Sequence, residues 1–179
     1  MSATHEVPGV TRILGLDPGS LHTGWGVIEA RGRDVVLVEV GRISPPARTP
    51  LPQRLADLAA GVGALVDRLS PALVVLEAPF LGGSRANPHS LIVLAQARGA
   101  LLAALGGRGL DIREVSPAEV KAAVTGSGRA DKVQVARMVR LLLHLEGAWA
   151  SDATDALATA LCVANRLKTE PILGSRRRR

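Results

Sequence analysis

Four carboxylates stand where carboxylates are costly. Asp17 closes the apolar run Arg12 to Leu16, and Glu77 closes the run Ala72 to Leu76. At the end of a buried strand an unpaired carboxylate is desolvated and needs a compensating partner. Asp152 and Asp155 are three apart in a segment of helical periodicity, so they share one face and repel each other. Singly, each acid has an ordinary explanation: Asp17 as a turn residue before Pro18, Glu77 as an acid just past a strand end, Asp152 as a first-turn acid favoured by the helix dipole. Together, with no lysine beside them in sequence, they suit divalent cations, which take oxygen ligands. Two such ions about 3.5 to 4 Å apart activate a water and stabilise the leaving oxygen in phosphodiester cleavage. Spacing alone does not bring the four acids together.

The elements that would have to position them follow from hydrophobic periodicity. Arg12 to Leu16, Gly24 to Glu29 and Val35 to Ile43 read as three strands, separated by Asp17-Pro18-Gly19-Ser20 and Arg31-Gly32-Arg33-Asp34, which predicts an antiparallel meander. After a proline-rich loop, Leu55, Leu58, Ala59, Val62, Leu65, Val66 and Leu69 recur at helical spacing. Ala72 to Leu76 is a fourth, fully buried strand. Leu91 to Leu105 is a second helix, Leu110 to Val115 a fifth strand, and Ser116-Pro117 caps a short helix carrying Lys121. Ala130 to His144 is expected as a helix with Val133, Ala136, Val139 and Leu143 on its core side. Ser151 to Leu167 is expected as the last helix, with Leu157, Ala160, Leu161, Ala164 and Leu167 on its core face, opposite the two aspartates. Three strands, then alternating helices and strands, predict an α/β fold: a five-stranded mixed sheet with helices on both faces.

Composition narrows the class. The 179 residues suffice for one domain with a single core, and 47% hydrophobic with 21% charged residues excludes disorder and fibrous repeats. The formal charge is 22 − 16 = +6, of which four positives are the terminal run Arg176 to Arg179. A basic balance permits nucleic-acid binding without requiring it. One cysteine, Cys162, forms no internal disulfide, and the longest stretch free of formal charge, Ala86 to Ala97, is too short to span a bilayer. A cytoplasmic protein without membrane contact is expected.

The motifs then become specific. Ile13-Leu14-Gly15-Leu16-Asp17-Pro18-Gly19-Ser20, with Thr23-Gly24-Trp25-Gly26-Val27-Ile28, resembles the opening of the RuvC family of bacterial Holliday-junction resolvases. In that family's order follow Leu76-Glu77 with Phe80, Gln96-Ala97-Arg98-Gly99, Ser116-Pro117 to Lys121, Gly126-Ser127-Gly128, Lys132 to Val139, and Asp152 to Ala158. Each piece is weak alone, but together they run in order from Arg12 to Leu167. The resemblance implies an RNase H-like nuclease domain over 12–168, between a flexible extension (1–11) and a basic tail (169–179). It also implies a homodimer that nicks two strands of like polarity at a four-way DNA junction, leaving 5′-phosphate and 3′-hydroxyl ends, in recombination and DNA repair. Two Mg2+ ions per active site, with Mn2+ as a substitute, and cooperation with the RuvA and RuvB branch-migration proteins are part of the same implication. Asp17, Glu77, Asp152 and Asp155 match the family's acidic, metal-binding quartet. Lys121 and Lys132 match lysines near the scissile phosphates, and Phe80 a residue that stacks on a base. Trp25 stands where the family often has tyrosine, and both members of the final acid pair are Asp where the first is sometimes His.

Other readings compete. Gly15-x-Asp17-x-Gly19 also resembles the phosphate loop of actin-like ATPases, but those need two such domains to enclose a nucleotide, and no P-loop ending in Lys-Ser/Thr is present. A non-catalytic junction-binding module has no use for four acids beside a polyanion. A nuclease of the same fold acting on RNA or RNA–DNA hybrids shares the metal chemistry and stays open. Arg85, Arg98, Arg113 and Arg129 are further candidates for phosphate contacts, unranked by sequence.

Overall fold

Strand alternation decides which side chains meet which helices. In the computed structural model, which describes residues 9–79, 87–147 and 149–169, five strands form one mixed sheet. They are β1 (Val10–Pro18), β2 (Thr23–Arg31), β3 (Asp34–Ile43), β4 (Leu73–Glu77) and β5 (Asp111–Val115), in the order β3-β2-β1-β4-β5. β1, β2 and β3 form the predicted antiparallel meander. β4 adds to β1 in parallel, and β5 adds to β4 in parallel, a connection that requires a crossover element. β1 already begins at Val10, so Val10 and Thr11, expected in the leader, pair with Arg31 and Ala30.

Helices α1 (Leu51–Leu69) and α2 (Pro88–Gly106) cover one face, where Leu14, Leu16, Trp25, Val27, Val74 and Leu76 meet Leu58, Val62, Leu101 and Leu105. Helices α3 (Pro117–Thr125), α4 (Lys132–Leu142) and α5 (Ser151–Thr169) cover the other, where Ile13, Ile28, Leu73, Val75 and Val115 meet Val120, Val139, Leu157 and Leu161. Trp25 is buried and lies against Gly41, whose missing side chain makes room for the indole.

α5 lies with its backbone almost on the sheet. A Cβ at Gly15 would overlap the carbonyl oxygen of Ala156, and one at Gly24 that of Asp152. Both glycines are therefore demanded by close approach. α4 corrects the sequence reading: it starts at Lys132 behind an Asp131 cap, and its buried stripe is Val135, Val139 and Leu143. Val133 is 77% exposed, because the buried stripe runs i, i+4, i+8 from Val135 and position 133 lies about 200° from Val135 around the helix. α2 has the length and hydropathy of a bilayer span, yet Val93, Ala97, Leu101 and Leu105 are buried in the fold. Arg98, at its middle, donates to the Glu77 carbonyl and pairs with Glu114.

Candidate active site

The alternation that sends Ile13 and Gly15 toward α5 sends Asp17 the same way, and Leu73 and Val75 do the same for Glu77. The parallel register pairs Leu16 with Leu76, so the two acids stand one step further on, on neighbouring strands about 4.8 Å apart. They sit at the carboxyl ends of the strands, where open α/β sheets place their ligands. α5 enters over this edge with Asp152 in its first turn, held close by the contact of its backbone with Gly24.

The electrostatics show that the four acids share one field. Burial first, then Asp155 and Glu77, then Asp152 push the Asp17 carboxyl up to about 7, while Lys132 pulls the other way. Glu77 is also raised, by burial and then by Asp155, against the lowering influence of Lys132, Lys121 and Arg98. Lys132 is raised chiefly by Asp155, to which its Nζ donates at 3.4 Å, and also by Asp17 and Glu77. An ammonium thus stands among the carboxylates as a counter-ion. Arg42 Nε approaches Asp152 Oδ2 at 3.8 Å on the opposite flank.

Among the described residues no three acidic, His or Cys side chains form a ready-made cage for an ion. Magnesium-like ions keep several waters and are held by one or two carboxylates plus substrate phosphates, so they need no closed cage. The donor set is entirely oxygen, and an acid pushed up by burial and by neighbouring like charges is relieved by a cation. The residues present therefore fit a hard divalent ion.

The lysines are positioned by their caps. Ser116 and Glu119 form a capping box that starts the α3 helix carrying Lys121, and Asp131 with Gln134 starts α4 at Lys132. Residues 13–163 match the family described as Crossover junction endodeoxyribonuclease RuvC. The chain belongs to the RuvC family. It is similar to the RuvC of Hyphomonas neptunium, 44% identical over 156 residues that cover 87% of this chain and 92% of that protein. The RuvC of Chloroflexus aggregans is 44% identical over 152 residues, covering 84% and 91%. Among solved structures, Thermus thermophilus RuvC in complex with Holliday junction substrate superposes with a TM-score of 0.80 at 31% identity, covering 89% of this chain and 96% of that one. The yeast mitochondrial Holliday junction resolvase shares the fold, with a TM-score of 0.64 at 15% identity over 87% of this chain and 78% of that one. This RuvC-family chain is a crossover junction endodeoxyribonuclease with an RNase H-like α/β fold.

Of the residues singled out by sequence, Asp17, Glu77, Asp152, Asp155 and Lys132 come together, and Lys121 lies within the field of Glu77. Phe80 and Arg85 lie outside the described residues. Two of the proposed phosphate contacts are already spent within the fold: Arg98 clamps the end of β4, and Arg113 pairs with Asp111. Arg42 escaped the sequence reading. Its signal was the meander itself, whose register sets Arg42 opposite Gly24 and Gly24 opposite Asp17. His22 Nδ1 and Thr23 Oγ1, at the hairpin turn after Asp17, are buried without a hydrogen-bond partner.

Proposed function

We propose that this chain resolves Holliday junctions by symmetric, metal-dependent nicking of two strands of like polarity, leaving 5′-phosphate and 3′-hydroxyl ends, in homologous recombination and DNA repair. The convergence of Asp17 and Glu77 with the first turn of α5 carries the reading. Asp17, Glu77, Asp152 and Asp155 would hold the ions, with Asp17 central because the middle strand fixes it most rigidly. We assign two Mg2+ ions to each active site, replaceable by Mn2+. When bound, such ions lower the pKa of a water and stabilise charge on the leaving oxygen.

The protein's own groups do the rest. Lys132 leaves Asp155 to neutralise the scissile phosphate, and Lys121, on the Glu77 side, offsets charge that builds on the phosphoryl oxygens. Phe80, three residues beyond Glu77, stacks on a base at the junction centre, an interaction worth roughly 1 to 3 kcal/mol. Two symmetric nicks require two such sites, hence a twofold dimer. α2 supplies the surface: Ile92 is 59% and Leu94 40% exposed, on a helix whose apolar residues exceed its buried stripe. The protein acts in the cytoplasm, on junctions moved by the RuvA and RuvB proteins.

The test is incubation with a labelled four-way junction, a plain duplex and an RNA–DNA hybrid, each with and without magnesium. Paired nicks in the junction alone, dependent on magnesium, are expected. Asp17→Asn should bind the junction and cut nothing. Preferential cutting of the hybrid, or equal cutting by variant and parent, would refute the assignment.

A further inference from the structure

We propose that the groove between the α3–α4 connection and the outer face of α4 is a second phosphate site, which carries the sugar-phosphate backbone of a junction arm away from the carboxylate cluster. The inference rests on the nuclease reading above and extends it to residues outside the cluster. The groove has a volume of about 610 Å3, and no acidic side chain is among its described lining residues. Ser127, Arg129, Gln134 and Arg137 supply its polar groups, Met138 and Leu141 its apolar ones.

What sets the groove apart is that two unspent guanidinium groups line it together with no acidic side chain among its described lining residues. Elsewhere the arginines are largely committed: Arg12 and Arg31 to Glu29, Arg68 to Glu39, Arg98 to Glu114, Arg108 to Asp67 and Arg113 to Asp111. Among the described residues the Arg129 and Arg137 guanidinium groups have no carboxylate or carbonyl partner. Gln134 Oε1 accepts from the Asp131 backbone N–H, which fixes the amide and leaves its NH2 group free to donate. Ser127 Oγ accepts from the Arg129 backbone N–H and keeps its own proton. The neighbouring acid, Asp131, is occupied in capping α4.

A surface offering donors and few acceptors selects a ligand made of acceptors, and a phosphodiester is such a ligand. Planar guanidinium forks match its oxygens. The Met138 and Leu141 side chains give the deoxyribose an apolar surface to lie against. The connection is held in shape without a ligand: Thr125 Oγ1 donates to the Lys121 carbonyl and accepts from the Ser127 N–H, and Gly126 takes the left-handed conformation that ends α3. Lys132, at the start of α4, reaches Asp155 in the cluster. Arg137 follows five residues later, about 7.5 Å along the helix axis and about 140° around it, so a strand passing from one to the other crosses the first turn of α4 while advancing roughly two nucleotides along the axis. A strand leaving the cluster over the N-terminus of α4 therefore enters the groove within a few nucleotides.

The experiment measures junction binding by the full chain at several salt concentrations, for the parent, the double variant Arg129→Gln/Arg137→Gln, and Arg33→Gln as a control. Arg33 lies in the β2–β3 turn, at the opposite end of the sheet from Asp17. The double variant should bind about tenfold more weakly at 0.1 M salt, with a salt slope shallower by roughly 2, about 0.9 for each lost phosphate contact. Its hydroxyl-radical footprint should lose protection two to four nucleotides from the scissile bond. Arg33→Gln should match the parent in all three readings, and melting curves establish that each variant is folded. Parental affinity and slope in the double variant, or an equal loss in the control, would overturn the groove. A parent that neither binds nor cuts junctions would instead overturn the nuclease reading, so the two failures are distinguishable.

Discussion

Replacing Asp17 by Asn should stabilise the metal-free protein, and the gain should depend on pH. In the folded chain burial, Asp155 and Glu77 raise the Asp17 carboxyl from its ordinary 3.8 to about 7. Below 3.8 the group is protonated in both states and contributes nothing to the pH dependence. Between 3.8 and 7 the unfolded chain gives up the proton while the folded chain keeps it, so the unfolded state binds fewer protons and stability falls as pH rises. Above 7 both states are ionised and the loss is complete. At about 1.36 kcal/mol per pH unit, the rise amounts to at most roughly 4 kcal/mol. An uncharged amide of the same shape escapes it. Urea unfolding of parent and Asp17→Asn in chelator should therefore show a gap that is smallest near pH 4, widens through neutrality and is constant above about pH 8. In melting temperature the full gap corresponds to about 8 to 16 °C for a chain of this size. Added magnesium at about pH 8 should narrow the gap by stabilising the parent, which keeps the carboxylate. A gap that does not change with pH, or a variant less stable than its parent at about pH 8, would show that Asp17 does not sit in a crowded, like-charged site.

Gly15→Ala should destabilise by about 3 kcal/mol, the upper range for overpacking, or roughly 6 to 12 °C in Tm, because its methyl meets the Ala156 backbone rather than a yielding side chain. Thermal melts check this, and a loss under 1 °C would mean that α5 does not rest on the strand. Ile92→Glu on the exposed face of α2 should convert the dimer to monomers in sedimentation and turn paired nicks into single ones. A dimeric variant that still cuts in pairs would move the interface elsewhere.

The sheet was legible because each strand is a short β-rich run ended by a glycine, a proline, a Ser-Pro pair or an acid, and the meander needed only two turns. The acid pair on α5 was legible from its spacing of three. What periodicity did not reveal was depth. Gly15 and Gly24 fall inside the expected strands with nothing in the sequence to mark their role, yet both are demanded by a helix backbone that presses on them. Val133 was misplaced because spacing allowed two stripes through Val139 and Leu143, one with Val133 and Ala136 and one with Val135, and packing against the core buries the second. Arg98 and Arg113 looked like phosphate ligands because a sequence shows a charge without its partner, here Glu114 and Asp111. Arg42 was invisible for the converse reason: its neighbour Asp152 lies over a hundred residues away, and they meet only through Gly24.

The bare seat beneath α5 has a further consequence. At Gly15 and Gly24 no side chain cushions helix from sheet, so at these two points the spacing is set by covalent dimensions of the main chain and not by how well a layer of rotamers happens to interlock. Such a joint hardly expands on warming or contracts on cooling, so the span between the strand acids and the helix acids should hold its value over a broad temperature range. Peripheral packing is then free to drift among relatives without altering the gauge of the cleft.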